Sequence, residues 1–198
     1  TGRIGMAVSD TMMFQRSEPH HSDFGMGGVF GLALPLLKAG IPVKPVQLEH
    51  ADKPRFLDDY AVLLLSYEHQ KPLKAAYHEA LAAWVRAGGA LLYAEAGPDA
   101  YHAVPAWWNE DGAAARTACD DLFARLGVDG AAEGLQPAGD GFVCVLRQNP
   151  KDLQHTAEGA ALVRAAVSDL AGARGLTWRT QGHLAITRGP YVAVAVLE

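Results

Sequence analysis

The fold is decided by residues 60–97, which read YAVLLLSYEHQKPLKAAYHEALAAWVRAGGALLYAEAG. Residues 60–66 form a continuous apolar run, as in a parallel strand covered on both faces. An apolar stripe with helical spacing follows, made of Leu73, Tyr77, Ala80, Leu81, Trp84 and Val85. Gly88 and Gly89 end the predicted helix, and residues 90–94 are the next strand. This order predicts a right-handed strand–helix–strand crossover in a parallel sheet.

Further elements extend this unit on both sides. We predict strands at residues 3–9, 41–48 and 141–146, and helices that end at Gly40 or cover residues 117–126 and 157–171. The two prolines of residues 41–48 favour a sheet edge for that strand. The whole pattern predicts an open, doubly wound, flavodoxin-like α/β domain, with a mostly parallel sheet and helices on both faces.

The C-terminal residues have a different pattern. Residues 184–197 predict an antiparallel hairpin that turns around Gly189. We therefore divide the chain into an α/β domain at residues 1–175 and a hairpin extension at 176–198, which could start a following β domain. Both ends look cut, so we expect a piece of a longer protein. The compartment cannot be read from such an N-terminus, although the cytoplasm is slightly favoured.

Composition narrows the classes of partner. The 198 residues include 17 basic and 22 acidic side chains, giving a net charge of −5 without a Lys/Arg cluster. Nucleic acid and anionic membrane surfaces are therefore not expected partners. No apolar run reaches the roughly 20 residues that cross a bilayer. The two cysteines, Cys119 and Cys144, are expected to be buried free thiols.

Three carboxylates follow predicted strands. Ligands of open α/β sheets bind at the carboxyl ends of the strands, where Asp10, Glu68 and Glu95 could converge. Converging carboxylates can perform acid/base chemistry because like charges separate their pKa values. The alternative is that they cap helices or bind N–H groups of loops. The candidate crevice also includes side chains close to them in sequence, namely His69, Tyr101 and His102.

The turn YAEAG at residues 93–97 resembles the class I glutamine amidotransferase-like fold. Catalytic members of that superfamily carry a Cys on a sharp turn after such a strand, two residues before a Gly. The matching residue here is Glu95, and a carboxylate cannot form a thioester with glutamine. The resemblance implies a lost nucleophile and no amidotransferase activity. His155 is a loose match for the partner His, which would have no nucleophile to activate.

Within that superfamily the chain is similar to non-catalytic members such as the beta-galactosidase trimerisation domain. The matching phrases are YAVLLL at residues 60–65 and WVRAGGALL at 84–92, supported by the helix–Gly–strand pattern at 31–43. The resemblance implies a bacterial, carbohydrate-active parent protein with a neighbouring glycosidase barrel. It also implies homo-oligomers and contacts with other domains of the parent, and a carbohydrate is a possible ligand.

Other motifs are weaker. Residues 25–31 superficially resemble a dinucleotide-binding loop, but their spacing is wrong, so we predict a flexible start to a helix. Residues 20–23 (HHSD) lack a second cluster with metal-ligand spacing. His78 lacks the second His of a zinc-protease motif and is expected on the surface. We therefore expect no cofactor and no metal.

Trp107 and Trp108 lie in the loop after the fourth strand. Three interpretations remain open: the indoles could fold the loop back onto the sheet, anchor an interface, or stack on sugars.

These observations support hypotheses from different classes. The first is a non-catalytic module that serves oligomerisation or shapes the rim of a neighbouring active site. The second is an independent hydrolase, with Glu68 or Glu95 as general base and Tyr101 or His102 as helper. The third is a sensor domain that binds a small ligand in the same crevice without chemistry.

Overall fold

The computed structural model describes residues 3–14, 26–97, 100–110 and 115–197. Its main sheet has the strand order β2-β1-β3-β4-β6-β5, with only β5 antiparallel to its neighbour. The six strands are β1 (Ile4–Val8), β2 (Val43–Gln47), β3 (Val62–Leu65), β4 (Ala90–Ala94), β5 (Gly134–Ala138) and β6 (Gly141–Leu146). The predicted flavodoxin-like, mostly parallel sheet is confirmed.

Helices cover both faces of this sheet. They are α1 (Thr11–Phe14), α2 (Gly27–Leu37), α3 (Ala75–Arg86), α4 (Ala118–Leu126), α5 (Pro150–Leu153) and α6 (Ala157–Ala173). Leu63 and Leu65 of β3 pack on the face of α3 and α4, whereas Val62 and Leu64 pack on the face of α2 and α6. Because both faces are buried, β3 needs apolar side chains at every position.

The two edges of the sheet contain prolines. Pro45 lies in β2 at one edge, as predicted, and Pro137 lies in β5 at the other. Proline suits edges because it cannot donate a ladder hydrogen bond. The sequence did not lead us to predict β5, which pairs with β6 across a tight turn at Gly139 and Asp140. Gly139 has φ +65°, the left-handed conformation that this turn requires.

The glycines at the start of α2 have a packing role. The predicted start of a helix is confirmed at residues 27–31, and residue 25 lies outside the described part. A Cβ on Gly31 would overlap the carbonyl of Pro150, and one on Gly27 would lie 2.9 Å from Lys151 Cβ. These glycines let α2 approach α5 closely. Pro35 is accommodated inside the same helix.

The predicted C-terminal hairpin is also confirmed. Among the described strands, β7 (His183–Arg188) and β8 (Tyr191–Val196) pair only with each other. Both faces of β8 are exposed, including 76% of Tyr191 and 84% of Val196. An isolated two-stranded hairpin is marginally stable in water.

Within the described ranges, no helix has the length and apolarity needed to span a membrane. The two thiols are free and buried, as predicted. Cys119 packs on the α3/α4 face of the sheet and Cys144 on the opposite face.

Candidate functional site

Glu95 lies directly after β4 and is buried with only 1% of its surface exposed. Tyr93 Oη donates a 2.6 Å hydrogen bond to Glu95 Oε2, and His102 Nε2 lies 2.7 Å from Glu95 Oε1. A carboxylate accepts both bonds, so His102 carries its proton on Nε2. His102 Nδ1 is buried and has no partner within the described residues. We call Tyr93, Glu95, His102 and Cys119 the Glu95 cluster.

The Glu95 cluster holds its thiol and phenol in neutral forms. Burial, followed by the nearby Glu95 carboxylate, raises the pKa of Cys119 to about 12. The same two causes hold the pKa of Tyr93 well above its ordinary value. Thr117 Oγ1 lies 3.0 Å from Cys119 Sγ and also caps α4, in a capping box with Asp120. Cys119 is therefore an inert thiol, since the thiolate is the reactive form.

The carboxyl end of β3 lies beside the Glu95 cluster. Glu68 is 8% exposed, and its Oε1 lies 3.5 Å from the backbone nitrogen of Ala96. His69 is half-buried and has φ +58°, a left-handed conformation in which His is enriched among non-glycine residues. The structure thus brings Glu68, Glu95 and His102 to one end of the β3–β4 pair.

Asp10 lies on the β1–β2 side of the sheet, away from Glu68 and Glu95. It is exposed, accepts a 2.9 Å hydrogen bond from Gln47 Nε2, and donates its backbone N–H to Glu49 at 3.1 Å. Gln47 ends β2, so Asp10 faces the β1–β2 side while Glu68 and Glu95 lie on the β3–β4 side.

The crevice between β1 and β3, where strand order reverses, is filled by Gln70. Its Oε1 accepts from Ser9 N at 2.8 Å, and its Nε2 donates to Ala7 O at 3.2 Å and to Ser66 O at 2.7 Å. Gln70 is 1% exposed. Its amide therefore connects the diverging strands through their own backbone groups. We call this side chain the Gln70 plug.

Reciprocal hydrogen bonds between Lys71 and Thr11 join the loop after β3 to the start of α1. Lys71 N donates to Thr11 Oγ1 at 2.8 Å, and Thr11 Oγ1 donates to Lys71 O at 2.9 Å. Ser9 Oγ donates to Glu49 Oε1. Because these buried groups satisfy one another, the described part of the crevice is held closed by the chain itself.

Sequence reasoning missed a second buried network, the His78 relay. His78 was expected on the surface, but it is fully buried in α3. Its Nε2 lies 2.6 Å from Tyr67 Oη, and its Nδ1 lies 2.7 Å from Asp121 Oδ2. Asp121 also accepts from Arg125 Nε at 2.6 Å. The carboxylate fixes the His78 proton on Nδ1, so Nε2 accepts from Tyr67.

Burial sets the charge of this relay. It lowers the pKa of His78 despite the favourable Asp121 contact, so the imidazole stays neutral. For Asp121, burial alone would raise the pKa, but hydrogen bonds from His78 and Arg125 outweigh it and lower the pKa. The burial of His78 could have been predicted from helical spacing. His78 lies four residues before Ala82 and seven before Val85, which are both buried.

The tryptophan loop packs onto the same face. Trp107 lies edge-to-face on the His78 ring at 5.0 Å, and its Nε1 donates to Pro72 O at 2.9 Å. Trp108 is 4% exposed and packs against Trp107. This is the position expected when the indoles hold the loop against the sheet. Tyr101 lies in the same loop and is 37% exposed.

Residues 20–23 lie outside the described part of the chain. Among the described residues, no group of three or more His, Cys, Asp or Glu side chains has a metal-binding arrangement. His155, the loose match for a partner His, is exposed after α5.

Comparison with solved structures finds chains of similar fold. The chain superposes on a beta-galactosidase from Rahnella sp. R3 with a TM-score of 0.58 and 12% sequence identity. The match covers 93% of this chain but only 34% of that chain. At this identity the likeness establishes a shared fold. No family model matches the sequence, and no curated protein matches it significantly.

Proposed function

We propose that this chain is a non-catalytic domain of a larger glycosidase-type protein, where it serves oligomerisation or shapes the rim of a neighbouring active site. The support is the fold shared with one third of a beta-galactosidase chain. The amidotransferase-like resemblance of residues 93–97 belongs to the same proposal, with Glu95 at the position of the lost nucleophile.

The buried hydrogen bonds of Glu95 are the observation that most supports a non-catalytic domain. A general base must come within hydrogen-bond reach of a substrate proton, but both Glu95 oxygens already accept buried hydrogen bonds. Glu95 is also absent from the positive-φ residues, which are Arg55 and His69 among the described non-glycine residues. A nucleophile elbow is a strained turn, and Glu95 does not adopt that conformation. The buried hydrogen bonds disfavour Glu95 as the general base of the hydrolase alternative.

The Gln70 plug disfavours the sensor alternative. A small ligand at the strand-order reversal would have to displace an amide that bonds three backbone groups. Leaving those groups buried without partners costs about 1–3 kcal/mol each.

Exposed apolar side chains support a role in contacts with other domains or with neighbouring copies. Leu73 is 51% exposed and Val104 is 50% exposed, and both lie near the carboxyl ends of the strands. The hairpin extension, residues 176–198, exposes further apolar surface on β8. We propose that other domains of the parent protein, or neighbouring copies, cover these surfaces.

The test uses the complete polypeptide that contains this chain. Leu73→Asp and Val104→Asp should lower the mass measured by light scattering if the surface holds an oligomer, or raise KM for a β-galactoside if it shapes a rim. Leu135→Asp, on the exposed edge strand β5, is the matched control and should change neither quantity. A wild-type mass together with a wild-type KM in both test variants would contradict the proposal.

A further inference from the structure

A pocket of about 400 Å³ opens at the amino end of the sheet, opposite the predicted crevice. Its volume falls within the range of sites that hold small molecules. The lining consists of Arg3, Gly40, Ile41, Pro42, Thr177, Trp178, Arg179 and Gln181. None of these residues was singled out for function by the sequence.

Three chain segments build the walls of this pocket. Arg3 precedes β1, residues 40–42 precede β2, and residues 177–181 connect α6 to β7. The connection is fixed because Gln181 N donates a 3.0 Å hydrogen bond to Ala39 O. Gly40 has φ +73°, and the Gln181 carbonyl occupies the space where a Cβ would lie. These contacts fix two of the pocket walls relative to each other.

The cationic groups of the pocket are available for binding. Arg3 and Arg179 are exposed, and within the described ranges neither guanidinium has an ion-pair partner. The chain as a whole is acidic, with a net charge of −5. The two unpaired guanidinium groups therefore give this pocket a positive charge that contrasts with the rest of the chain. A guanidinium presents a planar pair of donors that matches a carboxylate.

The uncharged part of the lining suits a hydroxylated ring. Trp178 is half-buried and packs against the core on the α2/α6 face, which holds its indole in place. An indole ring offers a rigid apolar surface on which a sugar ring can lie. Thr177 and Gln181 add a hydroxyl and an amide, which can bond ring hydroxyls.

We propose that this pocket binds an acidic sugar, with its carboxylate between Arg3 and Arg179 and its ring against Trp178. The proposal rests on the pocket alone and does not depend on the role of the domain in a glycosidase. It places a binding site at the end of the sheet opposite the Gln70 plug.

The test is an NMR titration of the isotopically labelled chain. D-galacturonate should shift the Trp178 indole N–H and the Thr177 and Gln181 amides in a saturable manner. D-galactose lacks the carboxylate and acetate lacks the ring, so each should bind at least about tenfold more weakly. The Trp178 resonance is assigned by its loss in Trp178→Phe.

Substitutions then separate a specific site from general charge. Arg3→Gln and Arg179→Gln should each weaken galacturonate binding about tenfold, the loss of one charge-assisted contact. Arg116→Gln removes the same charge from an exposed residue outside the pocket and should leave binding unchanged. The proposal is overturned if galacturonate causes no shifts at about 50 mM, well above millimolar affinity. Equal binding of galactose, or an equal loss in Arg116→Gln, would also overturn it.

Discussion

Glu95 illustrates how a buried carboxylate depends on the donors around it. Tyr93 and His102 donate to separate oxygens, and both donors are nearly inaccessible to water. Removing one acceptor leaves a buried donor unsatisfied, which costs more than the hydrogen bond itself contributes. The stability of the loop at residues 100–110 therefore depends on Glu95.

We expect Glu95→Gln to lower the free energy of unfolding by about 1–3 kcal/mol. The amide nitrogen of Gln would face one of the two donors, so that donor loses its acceptor. Urea unfolding measures the change, with Glu110→Gln as control because Glu110 is exposed in the same loop. Equal stability of Glu95→Gln and wild type would show that these hydrogen bonds contribute little.

The His78 relay predicts a pH dependence of stability. Burial lowers the pKa of His78 below its ordinary value near 6.5, so the unfolded chain binds a proton that the folded chain resists. Its contribution to stability is complete above about pH 6.5 and is lost as the pH falls below that value.

Unfolding free energies measured between about pH 8 and pH 5 test this prediction. His78→Gln should flatten the decline seen in the wild type. His183→Gln should keep the wild-type slope, because His183 is exposed. A wild-type slope in His78→Gln would rule out His78 as the source.

Single residues could be placed from the sequence where they directly follow a clear secondary-structure element. Glu95 was placed at the end of a strand because the apolar run before it is unmistakable. The surface prediction for His78 was wrong because it rested on the missing second His of a zinc-protease motif, and the predicted apolar stripe ran through Trp84 instead of Ala82. Its burial depends on Tyr67 and Asp121, which are 11 and 43 residues away and have no local signature.

At the scale of elements, the contact of α2 with α5 is set by a missing side chain. A Cβ on Gly31 would overlap the Pro150 carbonyl, a backbone atom that cannot rotate away. In contrast, a Cβ on Gly172 in α6 would meet no atom within 4 Å. These two helical glycines form a matched pair.

Gly31→Ala should destabilise the protein by about 1–3 kcal/mol, the usual cost of overpacking. Gly172→Ala should instead stabilise it by about 0.5–1 kcal/mol, because Ala favours the helix and restricts the unfolded chain. Thermal unfolding of both variants measures the difference. The same sign of change in both variants would contradict the packing described here.

Elements were predictable where one local pattern dominated. The β3–α3–β4 unit combines two continuous apolar runs with a glycine stop, and β2 has edge prolines, so each was identified. Strand β5 was missed because Gly134 and Pro137 are residue types that strands disfavour, which leaves few residues in it with a strand preference. The Gly139–Asp140 turn between β5 and β6 was the available clue.

At the scale of the whole molecule, the hairpin is the least supported element. In the part of the chain that the structure describes, its strands pair only with each other, whereas β3 and β4 lie at the centre of the sheet. Amide hydrogen exchange reports such differences in local stability. We expect fast exchange in β7 and β8 of the 198-residue chain and slow exchange in β3 and β4.

In the complete polypeptide, the amides of β8 should become protected, because we propose that other parts of that protein cover this strand. Mass spectrometry of peptides from both proteins makes the comparison. Fast exchange of β8 in the complete protein as well would contradict the proposed role of the hairpin extension.

We propose that this domain contributes no catalytic group to its parent protein. The most direct measurement is kcat for a β-galactoside in the complete polypeptide, comparing wild type with Glu68→Gln/Glu95→Gln below the unfolding transition of the variant. We expect both proteins to hydrolyse the substrate, with kcat values within about twofold. A loss of about a hundredfold, as expected when a general base is removed, or no hydrolysis by the wild type, would contradict it.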